Sequence, residues 1–125
     1  MTKEQQQVKE FMLKAGQECP STNKLEPSGE VKRLRVELID EELQELADAM
    51  FTSNRIEIAD AIADLMYVVL GTAVAYGIDI EPIFQEVHRS NMSKFIDGYR
   101  RKDGKWIKGP SFTAPCLQPI LDAQV

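Results

Sequence analysis

Two groups of carboxylates carry the chemistry this sequence can offer. Glu41, Glu42 and Glu45 form one, and Glu57, Asp60 and Asp64 the other. Both stand where an apolar helix face is expected. Advancing about 100° per residue from Glu37 puts Glu41 near ~40°, Glu45 near ~80° and Glu42 near ~140°. On the same wheel Leu34 falls near ~60°, Leu38 near ~100° and Val31 near ~120°, so the acids are interleaved with apolar residues. In the next stretch Asp60 and Asp64 fall within roughly 60° of Glu57. Carboxylates gathered on buried-looking faces repel one another, and desolvation disfavours their charged forms. A hard divalent cation between them offsets both costs. Oxygen ligands suit Mg²⁺, with Mn²⁺ able to replace it. The plainer reading is an ordinary acidic helix face, with Glu57 placed to suit the helix dipole. Two such groups on consecutive helices favour the cation, because Asp and Glu are seldom buried unpaired.

A second constellation is cationic. Arg89, Asn91 and Lys94 lie in the stretch His88-Arg89-Ser90-Asn91-Met92-Ser93-Lys94, where Asn91 and Lys94 share a helix face at i, i+3. Lys105 and Lys108 follow, with Gly109-Pro110 as a rigid turn. Lys or Arg beside a carboxylate-bound metal suits a polyphosphate, because metal and cations share the phosphate oxygens and stabilise the charge that develops on transfer. The alternative is a solvated basic helix end that complements the macrodipole. His88 is the only histidine and is not assigned a catalytic role; Trp106 and Phe112 are assigned to packing.

The elements that must position these groups read as helices. The pattern predicts a first helix from about Lys3 to Glu18, ended by Pro20. A second runs from about Gly29 to Phe51 behind Ser28 as N-cap. A third begins after Asn54, with Glu57 at the third position of a capping box, and ends near Tyr76 before Gly77. A fourth runs from Asp79 as cap to roughly Ile96, with Pro82 in its first turn. Alternating strand patterns are absent. The expected fold is all-α, a four-helix-type bundle in a single domain over residues 1–125, with Pro110 to Val125 as an extended C-terminal strap and a short terminal turn. Short connections favour antiparallel neighbours, so helices two and three should bring the two acidic groups together. Leu65 to Ala75 is apolar nearly all round and should be buried. It is more apolar than one small bundle can cover, which implies a homo-oligomer, most simply a twofold dimer, with a tetramer as the alternative.

At 125 residues and net charge −5 the chain is large enough for one core and lacks the basic face of a nucleic-acid binder. The polar start MTKEQQQVKE has no secretory pattern, and the run Leu65 to Ala75 is too short to span a bilayer. A cytoplasmic protein with no membrane or nucleic-acid partner is expected. Cys19 and Cys116 lack metal-ligand spacing and are expected as free thiols, with a pairing between them left open.

At these residues the chain resembles the all-α nucleoside triphosphate pyrophosphohydrolases, the MazG-like superfamily, and within it the branch of phosphoribosyl-ATP pyrophosphohydrolase. The likeness runs from Leu34 to Pro110 through Glu41-Glu42-Leu43-Gln44-Glu45, Ala63-Asp64-Leu65-Met66-Tyr67-Val68-Val69, Tyr76-Gly77-Ile78-Asp79, Glu86 to Lys94 and Lys108-Gly109-Pro110. Three residues before Asp64, where that superfamily has Glu, this chain has Ala61. Asp60, with Glu57, is expected to supply the missing carboxylate. The resemblance implies hydrolysis of a (deoxy)nucleoside triphosphate to monophosphate and pyrophosphate, as nucleotide-pool housekeeping. It implies Mg²⁺ held by Glu41, Glu45, Asp60 and Asp64, Glu42 as general base, and phosphate contacts from Asn91, Lys94, Lys108 and Arg89. Hydrolysis of phosphoribosyl-ATP is the nearest alternative. A non-catalytic helical oligomerisation module that retains a metal site is the other.

Overall fold

Capping residues set the element boundaries in the computed structural model, which describes residues 1–124; Val125, the end of the expected strap, lies outside them. Helix α1 spans Lys3–Lys14, with the Thr2 hydroxyl accepting from Gln5 N. It stops a turn earlier than Pro20 would require. Gly16, at φ +75°, takes the left-handed position; its N–H bonds Leu13 O and that of Gln17 bonds Met12 O, the paired closure that releases a chain from a helix. Helix α2 spans Gly29–Thr52, capped by Ser28 as expected, and left-handed Ser53 ends it. Helix α3 spans Arg55–Ala75. Asn54 Oδ1 accepts from Ile56 N and Glu57 N, but the reciprocal half of the capping box is replaced: Asn54 N donates to Thr52 Oγ1. Gly77 closes α3 with the same paired bonds as Gly16, through Val74 O and, from Ile78, Ala73 O.

The contacts divide the described chain into two compact units, Met1–Ile80 and Glu81–Gln124. In the first, α2 and α3 form a hairpin. Arg35 reaches Val68 and Thr72 while Glu42 meets Asp64, a pairing that falls along one helix as it rises along the other, so the two are antiparallel. Small residues line the seam: Ala49, Ala61, Gly71 and Ala75 are all buried. Helix α1 lies on α3 and builds the core from Val8, Met12, Val74 and Ala75, flanked by Cys19, Val31 and Leu70. Gln5 is buried there to 1% exposure, and its amide holds the chain after α3: Nε2 donates to Ile78 O at 2.6 Å and Oε1 accepts from Ile80 N at 3.0 Å.

Helix α3 departs from the expectation of burial. Within this chain Ile62, Met66, Tyr67 and Val69 remain 40–53% exposed. The helix as a whole, counted from Arg55 and not from Leu65, has a length and composition that would cross a membrane, with mean hydropathy 1.7 over its most apolar window. Such a helix is also the expected centre of a protein that covers it with a further element.

In the second unit, helix α4 spans Ile80–Met92 and tightens into a 3₁₀ turn over Ser93–Phe95. A two-residue hairpin follows, not foreseen from the pattern: β1 (Tyr99–Arg100) pairs antiparallel with β2 (Trp106–Ile107) across Gly104, at φ +92°. Strands this short leave no alternation to read. The tail then runs extended to a short helix α5, Gln118–Ala123. Ser90 and Ser93 fasten it: Ser90 Oγ donates to Thr113 O at 2.8 Å, and Ser93 Oγ accepts from Thr113 N at 3.0 Å.

Candidate metal centre

The face that α2 turns toward α3 is marked by Arg35 and Ala49, its two buried residues. Glu42 lies midway between them at heptad spacing, so its carboxyl is carried into the helix seam. Glu45 flanks it one turn on, and Asp64 faces both from α3. Carboxylate oxygens of Glu42, Glu45 and Asp64 lie within 4.8 Å of one another. Glu42 Oε2 is buried and has no hydrogen-bond partner among the described residues. Burial first, then the charges of Glu45 and Asp64, hydrogen bonding to Glu45 and the charge of Glu41, push the Glu42 carboxyl above its usual range. An orphaned buried oxygen inside a cluster of like charges is the donor set a hard cation needs. These residues therefore fit a divalent metal.

The grouping differs from the sequence expectation, first on α2. Glu42, assigned as base, stands within the ligand cluster, whereas Glu41, assigned as ligand, is exposed and touches the cluster only through its charge on Glu42. The wheel held the reason. The inward direction of α2 runs through Arg35 near ~160° and Ala49 near ~120°, which centres on Glu42 and leaves Glu41 about 100° away.

Asp60 and Glu57 stand beside the cluster and outside the three-residue group. With Glu45, Asp48, Ala49, Thr52 and Ala61 they line an adjoining cleft of about 270 Å³. Ala61, expected at the position of the superfamily Glu, is a wall of this cleft and is itself 5% exposed. The carboxylates that line this cleft with Ala61 are thus Glu57 and Asp60 on α3 and Glu45 and Asp48 on α2. Asp48 was not singled out from the sequence, although its i, i+3 spacing from Glu45 places it on the same side of the helix.

In the second unit, Lys94 Nζ stands 5.9 Å and Lys108 Nζ 4.6 Å from the centre of the Phe112 ring. Among the described residues neither lysine is paired with a carboxylate, so two cations lie against the ring, open to an anion. Phe112 is therefore more than packing. Arg89 is engaged: it pairs with Glu86 and donates to Thr113 Oγ1 and Ala114 O. Asn91 and His88 are exposed. Trp106 packs on Phe95 and donates from Nε1 to Lys94 O at 2.7 Å. Cys19 and Cys116 are free thiols.

Comparison with known proteins places the chain in a family. The family model described as phosphoribosyl-ATP pyrophosphohydrolase matches residues 7–91, which include both acidic groups. An uncharacterized protein of Acanthamoeba polyphaga mimivirus is 37% identical over 70 residues, covering 54% of this chain and 28% of that protein, so this chain spans little more than a quarter of that relative. With more than half of its length matched by the model, the chain belongs to the phosphoribosyl-ATP pyrophosphohydrolase family, within the all-α MazG-like superfamily.

Proposed function

We propose that the chain is a Mg²⁺-dependent nucleoside triphosphate pyrophosphohydrolase, which converts a (deoxy)nucleoside triphosphate to the monophosphate and pyrophosphate. The observation that carries this reading is the convergence of Glu42, Glu45 and Asp64 on the seam of a family hairpin, with one buried oxygen left unmatched. Glu45 and Asp64 would hold the metal, with Asp60 and Glu57 extending the donor set into the adjoining cleft. Bound there, Mg²⁺ supplies phosphate charge neutralisation and makes a water more acidic. Glu42 has the properties of a general base. Burial and the neighbouring carboxylate charges raise its proton affinity, the direction that a base requires. It would take a proton from water as the water oxygen bonds the α-phosphorus and the bond to the bridging oxygen breaks, releasing pyrophosphate. Glu41, on the outer side, would bias Glu42 through its charge. Lys94, Lys108 and Asn91 are assigned to substrate phosphates; Arg89, spent on Glu86 and the tail, would serve chiefly to hold that segment.

The apolar side of α3 leads us to propose a homo-oligomer, a dimer in its simplest form, working in the cytoplasm in nucleotide housekeeping. The test of the reaction is a panel of nucleoside triphosphates with phosphoribosyl-ATP included, following pyrophosphate and monophosphate together. Pyrophosphate from one or a few triphosphates supports the proposal. Orthophosphate, or turnover of phosphoribosyl-ATP alone, would overturn it. No turnover of any substrate would favour a metal-binding helical module.

A further inference from the structure

A cleft of about 250 Å³ in the first unit contains hydrogen-bonding groups that the protein itself leaves unused. Arg35, one of its walls, is 5% exposed. Its Nε donates to Thr72 Oγ1 at 3.3 Å and its Nη2 to Val68 O at 3.0 Å. Among the described residues the other guanidinium hydrogens have no acceptor, and no carboxylate pairs with the charge. Nη1 is not a fully buried orphan, so it keeps access to solvent and is open to an acceptor that enters the cleft. Gln17, on the same cleft, bonds through its backbone, and its side-chain amide has no partner among the described residues. The Ser28 hydroxyl accepts from Val31 N and keeps its own hydrogen to donate. Met12 and Leu34 provide apolar walls.

We infer that this cleft receives the planar base of the nucleotide, with Arg35 donating to a ring carbonyl or ring nitrogen and the Gln17 amide reading the adjacent edge. This rests on the nucleotide reading above and adds the part of the substrate that the carboxylates do not address. Size favours a base: the volume lies below the roughly 300–1,000 Å³ of a site for a drug-sized ligand, enough for one ring system and not for a whole nucleotide. Charge argues against a phosphate, since Glu18 and Glu30 also line the cleft and outnumber the single cation. Position agrees as well. Arg35 and Glu42 lie on one line of α2, two turns apart, about 10 Å at 1.5 Å per residue. The sugar and first phosphate would span that interval.

The experiment separates base binding from catalysis. Saturation-transfer NMR in EDTA with deoxyuridine, thymidine, deoxycytidine, deoxyadenosine and deoxyguanosine uses ligands that carry no phosphate and need no metal. At least one should show transfer concentrated on its base protons. Leu34→Trp, which fills the cleft, should abolish the signal. Gln17→Ala, remote from the helix seam, should weaken it and, in turnover, raise KM about fivefold or more with kcat nearly unchanged, as for lost uniform binding. No transfer to any nucleoside, or transfer undiminished in both variants, overturns the inference. If pyrophosphate release by the wild type persists in that case, the hydrolytic reading survives without it. If base binding at the cleft is found without pyrophosphate release, the hydrolytic reading falls and the base site stands.

Discussion

A β-carbon on Gly71 would stand 2.5 Å from Nη2 of Arg35, so the absence of a side chain on α3 is what admits the guanidinium into the seam with α2. The two residues are one arrangement: the glycine gives the space, and Val68 O and Thr72 Oγ1 give the acceptors. Gly71→Ala should displace Arg35 and break both bonds. The gain in helix propensity, up to about 1 kcal/mol, opposes this. Overpacking and two lost bonds to a charged group outweigh it, so a net loss of about 1–3 kcal/mol is expected by urea unfolding. An unchanged or raised stability would mean that the arginine relocates freely.

Glu42 should oppose the fold when no metal is bound. Its unpartnered oxygen is buried among Glu45 and Asp64, and burial itself disfavours its charge. Glu42→Gln keeps the shape and removes the charge. In EDTA at neutral pH its Tm should therefore exceed that of the wild type. With saturating Mg²⁺ both proteins should gain, by about 2.7 kcal/mol at a hundred times Kd, because Glu45 and Asp64 remain to hold the metal. Turnover should fall by about a hundredfold or more, the scale of a lost general base. A lower Tm in EDTA would show the carboxylate to be a structural partner.

The C-terminal segment should loosen in acid through Glu86. Its hydrogen bond to Arg89, then the Cys116 N–H and the Arg89 charge, hold its carboxyl below the usual range. A depressed folded pKa stabilises above the unfolded value, about 4.3, and that contribution is lost as pH falls through the folded value. Arg89 also holds Thr113 and Ala114, so release of Glu86 should be felt there. Amide exchange at Thr113 and Cys116 should accelerate, beyond the intrinsic pH effect, as pH is taken from 5 to 3. Glu86→Gln should show the faster exchange at both pH values, with no step between them.

Most of the helical frame was legible because its punctuation is local: Ser28, Asn54 and Gly77 each act within four residues. Gly16 was equally local and was passed over in favour of Pro20, the stronger breaker by residue type but not the one that the backbone used. The acidic groups were legible as groups. Their division of labour was not, because it depends on which direction of α2 faces α3. Arg35 fixes that direction, and a long cationic residue reads as surface until Gly71 is seen opposite it. The Lys94 and Lys108 pair over Phe112 joins residues far apart in sequence, with no periodicity to announce it.

The exposed stripe of α3 yields the last prediction. Ile62, Met66 and Val69 follow one another at helical spacing, and the Phe11 ring meets Tyr67 edge-on at 5.7 Å beside them. Met66 lies about 200° around the helix from Asp64, so this stripe looks away from the carboxylates. A surface of this kind is one that a second copy can cover. Sedimentation should give a mass that is a multiple of 14.1 kDa, and Met66→Lys should reduce it to a single chain. Because the carboxylates point the other way, the variant should retain its Mg²⁺-dependent rise in Tm where it stays folded. A wild type that sediments as a monomer would remove the oligomer. If that monomer floated with phosphatidylcholine vesicles, and Met66→Lys stopped it, lipid would be the cover for the stripe.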